Sequence, residues 1–194
     1  NAIALLLLAA LFLCTSFIDD KKKTNSKIRT IVIDPGHGGH DPGNLGTGRY
    51  KTTEKHVALA ISLKLGDYIE NSFSDVNVIY TRKTNEKFLK LGERTQLAND
   101  NNADLFISVH CDAWTSPDAF GAGVYVMGMS KLKANMDIAM KENAVIYLED
   151  DYKENYDGFD PNSPESYIVF SLTQNTHLDQ SLHIAEKIEQ EFKS

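Results

Sequence analysis

Short apolar segments alternate with longer amphipathic segments along residues 28–127. Four of the short segments are rich in β-branched or aromatic residues and predict strands at residues 28–33, 76–80, 104–110 and 123–127. Between them, apolar residues recur at helical spacing and predict helices at residues 53–71 and 89–99, with Thr52 or Thr53 as the first N-cap. Strands that alternate with helices predict a single α/β domain, in which helices flank a mostly parallel or mixed sheet.

The pattern changes beyond the fourth predicted strand. Residues 130–148 and 168–192 return to helical spacing, and residues 149–165 between them form a long polar stretch rich in Asp, Tyr, Asn and Pro. An irregular stretch of this length is usually functional or mobile. No strand-like segment follows the last helix, so we expect the final strand of the domain to be missing from this sequence.

The N-terminus is apolar from residue 2 to residue 13, which is short for a membrane span of about 20 residues but suits the apolar region of a secretory signal. We therefore expect residues 1–18 to be a signal peptide without its basic region, residues 19–27 a linker, and residues 28–194 the catalytic domain. Cys14 and the small residues after it suit either ordinary cleavage or lipidation of Cys14. A buried N-terminal helix is the remaining alternative.

Charge and cysteine content narrow the range of partners. The formal net charge is −7, whereas binding to a polyanion requires clustered Lys and Arg, so nucleic acid is not an expected partner. Cys14 and Cys111 lie in segments of different kinds and do not predict a disulfide framework. The signal predicts a periplasmic or secreted protein, with membrane attachment only through the signal or a lipid on Cys14.

Three polar residues at the boundaries of predicted elements are candidates for chemistry. His37 follows the first strand in a glycine-rich loop, Glu54 opens the first helix, and His110 ends the third strand. Each has a plain structural explanation by itself: a turn histidine, a first-turn acid favoured by the helix dipole, and a core histidine. The ends of parallel strands, however, meet at one edge of a sheet, where α/β proteins place their sites.

Together the three residues form a recognisable ligand set. Two histidines and one glutamate bind catalytic zinc in known enzymes and leave a fourth position for water. Zinc in such a site polarises a scissile carbonyl and lowers the pKa of the bound water. The sequence thus predicts Zn²⁺ as cofactor, with His37, Glu54 and His110 as its ligands. An H-E-x-x-H motif is absent, so a metalloprotease of that type is not supported.

Three strings follow one another along the chain: IVIDPGHGGHDPGNLG, TTEKHVALAISLKLGDYI and VIYTRKTNEKFLKLGERTQLANDNNADLFISVHCDA. They resemble the zinc-dependent N-acetylmuramoyl-L-alanine amidases of the family 3 type, from about Arg29 to the end of the chain. The resemblance implies a hydrolase that cleaves the amide bond between N-acetylmuramic acid and L-alanine in peptidoglycan, in cell-wall remodelling and daughter-cell separation. It also implies zinc binding by the three residues above. The histidines that match no family ligand are His40, His56, His177 and His183, of which His40 lies close enough to the loop for a substrate role.

Two features depart from the family pattern. Asp112 stands where members commonly have Asn, two residues after the second histidine, and adds a charge near the metal. The family's general base is a glutamate in a strand resembling V-E-x-G-F, which has no counterpart before Ser194. We therefore expect a C-terminally truncated sequence whose catalytic glutamate lies beyond Ser194, so that the catalytic residue in this chain is unknown.

The long acidic stretch has a parallel in certain cell-division amidases, in which a helix covers the zinc site until a protein activator displaces it. The corresponding hypothesis is that residues 129–165 form such a cover, with Glu142, Glu149 or Glu154 near the metal. An ordinary exposed insertion is the alternative. For the function, the alternatives are a zinc peptidase that cuts within the stem peptide and a wall-binding module without turnover.

Overall fold

The computed structural model of the chain describes residues 28–46, 51–111, 120–126, 140–150 and 177–193, together with residues 118, 154, 160 and 163. The expected signal peptide and linker lie outside the described residues. Three parallel strands form one sheet in the order β2-β1-β3, with β1 at Thr30–Pro35, β2 at Asn77–Tyr80 and β3 at Leu105–Val109. The predicted α/β class, with a parallel sheet flanked by helices, is confirmed.

β1 is the central strand, and its sequence explains this position. It reads TIVIDP, and residues 31–35 are all buried. A strand with neighbours on both sides and both faces covered favours such a continuous apolar run over an alternating pattern. Ile33 is in register with Tyr80 of β2 and with Ile107 of β3, so the two outer strands flank the middle of β1.

Two helices connect the three strands. α1 spans Glu54–Ser72 between β1 and β2, and α2 spans Leu91–Asp100 between β2 and β3. Parallel strands require such crossovers, because the chain must return to the other end of the sheet before the next strand begins. Thr53 is the N-cap of α1, one of the two residues predicted for it. At the start of α2, the N–H of Lys90 donates to the Glu93 carboxylate at 2.8 Å.

The apolar core lies between the sheet and α1. Ile31, Ile33 and Val78 are buried in it, and Leu65 and Ile69 of α1 pack against them. Complete burial of one such aliphatic side chain is worth about 1.5–3 kcal/mol. This layer holds α1 against the sheet and so fixes where the first residue of α1 lies relative to the strand ends.

The C-terminal half is described in shorter pieces. Residues 140–143 are helical and are followed by a 3₁₀ helix at Ala144–Leu148, so the helix predicted over residues 130–148 is present in part. A further helix, α3, spans Leu178–Phe192 within the helix predicted at residues 168–192. Among the described helices, none combines the length and the apolar character that crossing a membrane requires.

The strand predicted at residues 123–127 is wrong where the structure describes it. Residues 123–126 are neither strand nor helix, and Val124 and Tyr125 are exposed. Apolar alternation favours a strand only where a neighbouring strand supplies partners for the backbone hydrogen bonds and side-chain packing. The described part of the sheet ends at β3, and no strand of the described residues pairs with this segment.

Candidate metal centre

The ends of β1 and β3 bring two histidines together. His37 lies two residues beyond β1, and His110 directly follows β3. The N–H of Gly36 donates to the carbonyl of Val109 at 2.9 Å, which joins the two strand ends. His110 Nδ1 lies 3.2 Å from His37 Nε2. The two side chains therefore meet at the carboxyl edge of the sheet, where the sequence places them.

Glu54, the first residue of α1, faces both histidines. It is 3% exposed, and its Oε1 lies 3.1 Å from His37 Nε2 and 3.3 Å from His110 Nδ1. Two backbone amides hold the carboxylate: Cys111 N–H donates to Oε1 at 2.6 Å and Asn44 N–H donates to Oε2 at 2.9 Å. Its place in the first helical turn is favourable for a carboxylate, so the helix both stabilises Glu54 and aims it at the histidines.

Glu142 completes the cluster from a distant part of the sequence. Its Oε2 lies 2.9 Å from His110 Nδ1 and 3.3 Å from His37 Nε2. One ligand atom from each of His37, Glu54, His110 and Glu142 lies within 4.8 Å of all the others, and this group could hold a metal ion. The other two glutamates of the cover hypothesis are elsewhere: Glu149 is buried outside the cluster and Glu154 is exposed.

Asp41 orients His37 from outside the cluster. Its Oδ2 lies 2.8 Å from His37 Nδ1, and its Oδ1 accepts a hydrogen bond from the N–H of Gly43 at 3.0 Å. An ionised carboxylate can only accept, so Nδ1 of His37 carries a proton, and in the neutral ring Nε2, which faces the cluster, carries none. Histidines that bind metals commonly have such a partner. Asp41 is not identified by the sequence pattern. The one signal for it is its spacing, four residues after His37.

Two glycines make room for the cluster. A Cβ on Gly36 would lie 2.5 Å from the ring of His110, and a Cβ on Gly43 would lie 2.5 Å from Cδ2 of His37 and 2.8 Å from Oε2 of Glu54. His37 itself has a φ of 62°, a left-handed conformation that costs a residue other than glycine about 1–3 kcal/mol. The contacts around the loop must hold this conformation in place.

Asp34 links all three strands beneath the loop. Its buried carboxylate accepts hydrogen bonds from Thr81 Oγ1 at 2.6 Å, Ser108 Oγ at 2.8 Å and Arg94 Nη1 at 3.1 Å. Thr81 directly follows β2, Ser108 belongs to β3, and Arg94 comes from α2. Arg94 Nη2 also donates to the carbonyl of His37 at 3.1 Å. This buried polar layer anchors the His37 backbone to the sheet.

The ionisable groups of the cluster shift one another's pKa values. Burial by itself lowers the pKa of His37, but hydrogen bonds to Asp41, Glu142 and Glu54 raise it to about 11. Burial also lowers the pKa of His110, whereas Glu142 and Glu54 raise it to about 9. For Glu54 and Glu142 burial raises the pKa, but contacts with the two histidines lower both, that of Glu142 to about 2. Without metal, imidazolium–carboxylate pairs stabilise the cluster, and a metal must displace the histidine protons.

A cavity of about 290 Å³ opens at the cluster. The His37 loop and the start of α1 line one side of it, and residues of the 140–148 segment line the other. On that second side the lining residues are Lys141, Glu142, Ala144, Val145 and Leu148. The 140–148 segment therefore forms a wall over the candidate metal centre.

The other histidines lie outside the cluster and are exposed: His40, His56, His177 and His183. His40 packs against the ring of Phe88, with 4.3 Å between ring centroids. His56 Nδ1 lies 2.7 Å from Thr53 Oγ1. Asp112, the departure from the family pattern, lies outside the described residues.

Comparison with known proteins identifies the family. The profile of the family Amidase_3, described as N-acetylmuramoyl-L-alanine amidase, matches residues 31–194. The N-acetylmuramoyl-L-alanine amidase AmiA of Salmonella typhimurium is 34% identical over 174 residues, which cover 86% of this chain and 56% of AmiA. A putative N-acetylmuramoyl-L-alanine amidase of Buchnera aphidicola is 29% identical over 172 residues, which cover 87% of this chain and 71% of that protein.

One similar solved structure is the catalytic domain of CwlV, an N-acetylmuramoyl-L-alanine amidase of Bacillus (Paenibacillus) polymyxa. It is 33% identical in sequence to this chain, with a TM-score of 0.43. The match covers 47% of this chain and 50% of the CwlV chain. The chain spans about half the length of AmiA, 56%. The family profile, in contrast, matches most of this chain. On the strength of that profile match, the chain belongs to the N-acetylmuramoyl-L-alanine amidase family, Amidase_3.

Proposed function

We propose that this chain is the catalytic part of a zinc-dependent amidase that hydrolyses the bond between N-acetylmuramic acid and L-alanine in peptidoglycan. The observation that carries this function is the cluster of His37, Glu54, His110 and Glu142 at the carboxyl edge of a parallel sheet, in a chain of the amidase family. The proposed reaction is the one after which the relatives, N-acetylmuramoyl-L-alanine amidases, are named. Because the chain spans 56% of AmiA, the activity of the whole protein is part of the same proposal.

Five of the six distances between ligand atoms in the cluster suit a tetrahedral zinc ion, and the sixth, between Glu54 and Glu142, is at most 4.8 Å. Nitrogen and oxygen ligands at the usual 2.0–2.1 Å from zinc lie about 3.3 Å from one another in a tetrahedron. The distances between the facing atoms of the two histidines, and from these atoms to the two glutamates, run from 2.9 to 3.3 Å. The other oxygen of Glu142, Oε1, is buried, accepts no hydrogen bond within the described residues and lies 3.9 Å from Nζ of Lys141, so Oε2 is the oxygen available to a metal.

We assign His37, Glu54 and His110 as the ligands that hold zinc during turnover. When bound, the ion would polarise the scissile carbonyl and make a coordinated water more acidic. Asp41 accepts the proton on Nδ1 of His37, so the ring would bind metal through Nε2 once that nitrogen has lost its own proton. The proton acceptor that we propose is a glutamate, the general base of the family.

We infer that residues 140–148 cover the site in the resting protein and that a protein activator displaces them. Glu142 supports this role because it contacts both histidines at 2.9–3.3 Å. A ligand position taken by Glu142 is closed to water and substrate, whereas a catalytic zinc site needs an open position. Val145 and Leu148 line the same cavity and would leave it together with Glu142.

We also propose that the protein acts in the periplasm or outside the cell, in wall remodelling and daughter-cell separation. The support is the apolar run at residues 2–13 and the location of peptidoglycan beyond the cytoplasmic membrane. Mass spectrometry of the N-terminus of protein recovered from its host would distinguish ordinary cleavage from lipidation of Cys14. An intact N-terminus in the cytoplasmic fraction would contradict export.

The reaction is tested by digesting purified peptidoglycan with the complete gene product, with and without zinc, and identifying the fragments by mass spectrometry. We expect intact stem peptides that begin with a free L-alanine amine, and their loss in His37→Ala. Asp100→Asn, at the exposed end of α2, is the matched control that should keep activity. Cleavage inside the stem would point to a zinc peptidase instead. Binding without any zinc-dependent product would point to a wall-binding module.

A further inference from the structure

Arg82 lies between the two segments that carry the first two ligand candidates. It comes two residues after β2, and it is 2% exposed. Its guanidinium donates hydrogen bonds to four backbone carbonyls, with Nε bound to Pro35 at 3.0 Å and Nη1 to Thr84 at 3.2 Å. Nη2 donates to Gly36 at 2.6 Å and to Lys55 at 2.8 Å. Within the described part of the chain, all four hydrogen bonds of the Arg82 guanidinium therefore go to backbone carbonyls.

The two carbonyls on Nη2 belong to the neighbours of the two ligands. Gly36 directly precedes His37, and Lys55 directly follows Glu54. One nitrogen atom therefore ties the loop after β1 to the first turn of α1. These two segments contain His37 and Glu54, whose facing atoms are 3.1 Å apart. Arg82 thus connects the backbone beside His37 to the backbone beside Glu54.

The arginine side chain is itself held in place. A Cβ added to Gly38 would lie 2.8 Å from Cδ of Arg82, so the loop packs directly on the arginine stem. The carbonyl of Thr84 binds Nη1, and the N–H of Gly39 donates to Asn85 at 2.8 Å, which joins the same turn to the loop. The planar guanidinium presents its donors in a rigid fork, which the single ammonium of lysine cannot reproduce.

We propose that Arg82 is a positioning residue, which sets the distance between His37 and Glu54 by holding the backbone beside each of them. This role rests on the proposed metal site. A positioning role can be distinguished from a general contribution to folding. Substitution of Arg82 should weaken metal binding, whereas a substitution elsewhere that costs as much stability should not. Arg82 itself belongs neither to the four ligand candidates nor to the residues that line the cavity.

The test compares Arg82→Lys with Val78→Ala in the full chain. Val78 is buried in the core on β2, the same strand-to-loop segment, but away from the cluster. For each protein we would measure thermal unfolding without metal, zinc affinity by competition with a chelator, and the visible spectrum after Co²⁺ substitution. We expect zinc affinity of Arg82→Lys to fall about 10–100-fold, as for other changes behind a metal ligand, with an altered Co²⁺ spectrum. Val78→Ala should be less stable but keep the affinity and the spectrum.

Unchanged affinity and spectrum in Arg82→Lys would overturn the positioning role, and so would an equal loss of affinity in Val78→Ala. A wild-type chain without zinc affinity would instead refute the proposed metal site. If Arg82→Lys does not fold, ¹⁵N NMR of the wild-type side chain decides the question. Three carbonyl acceptors on the Nη groups, and a fourth on Nε, predict resolved, slowly rotating Nη groups for Arg82, and a freely rotating guanidinium would contradict the inference.

Discussion

Glu142 Oε2 lies 2.9 Å from Nδ1 of His110, and the same oxygen lies 3.3 Å from Nε2 of His37. One carboxylate thereby joins the 140–148 segment to the histidines at the ends of β1 and β3. The contact is electrostatic: Glu142 raises the pKa of both histidines, and the two histidines lower the pKa of Glu142. Glu142 thus links the segment to the candidate metal centre, and its substitution tests that link.

Glu142→Ala should raise the basal amidase rate of the complete gene product. Loss of the carboxylate removes the contact that holds the 140–148 segment over the histidines, and regulatory couplings of this kind are commonly worth 1–3 kcal/mol, so we expect about a 10-fold increase. Deletion of residues 143–160 should act in the same direction. Asp150→Ala, exposed near the end of the same segment, is the control. An unchanged or lower rate in both altered proteins would argue for an ordinary exposed insertion.

Asp41→Asn should weaken zinc binding about 10–100-fold while the chain stays folded. Oδ2 of the aspartate accepts from Nδ1 of His37, and Oδ1 accepts from the N–H of Gly43. In asparagine the oxygen would stay with the Gly43 N–H, so the amide nitrogen would face Nδ1 and donate to it. The ring would then carry its proton on Nε2, the atom that faces the cluster. Competition with a chelator measures the effect, with Asp100→Asn as control. Equal zinc affinity in Asp41→Asn and wild type would show that Asp41 does not set the tautomer.

Arg94→Met should lower the free energy of unfolding by about 3–5 kcal/mol, the usual cost of breaking a buried ion pair from one side. The substitution leaves the Asp34 carboxylate buried without its cation and frees the carbonyl of His37. Urea unfolding measures the loss. In the double variant with Asp34→Asn the two losses should not add, since both changes remove the same interaction. Strict additivity would mean that the two side chains act independently.

The positions of His37, Glu54 and His110 could be predicted from the sequence because strand ends and helix starts are marked by local pattern. Asp41 could not, since an aspartate in a glycine-rich loop is an ordinary turn residue until the imidazole beside it is known. The sequence could not single out Glu142 from Glu149 and Glu154. A carboxylate so far along the chain reaches the site only through tertiary packing, which local pattern does not show. The strand predicted at residues 123–127 failed over its described part for a related reason: alternation says nothing about whether a partner strand lies beside it.

Asp104 provides a pH dependence remote from the metal centre. Its Oδ2 accepts hydrogen bonds from the N–H groups of Arg29 at 2.8 Å and Thr30 at 2.9 Å, and these bonds lower its pKa. A lowered pKa in the folded state gives stability that is present above the ordinary value of 3.8 and is lost as the pH falls through the folded value. Asp104→Asn, which keeps an acceptor but not the charge, should therefore be less stable than wild type at pH 7. The difference should shrink as the pH falls below 3.8 in urea unfolding measurements, and a constant difference would contradict this assignment.

The zinc content of purified chains tests the central assignment most directly. We would measure zinc by mass spectrometry after dialysis for wild type, His37→Ala, Glu54→Ala, His110→Ala and Glu142→Ala, with circular dichroism to verify folding. Wild type and Glu142→Ala should retain about one zinc ion per chain, since three protein ligands suffice for a catalytic site. The three other variants should lose it. A wild-type chain without zinc, or folded His37→Ala and His110→Ala proteins that keep their full zinc content, would contradict the assignment of this cluster as the metal centre.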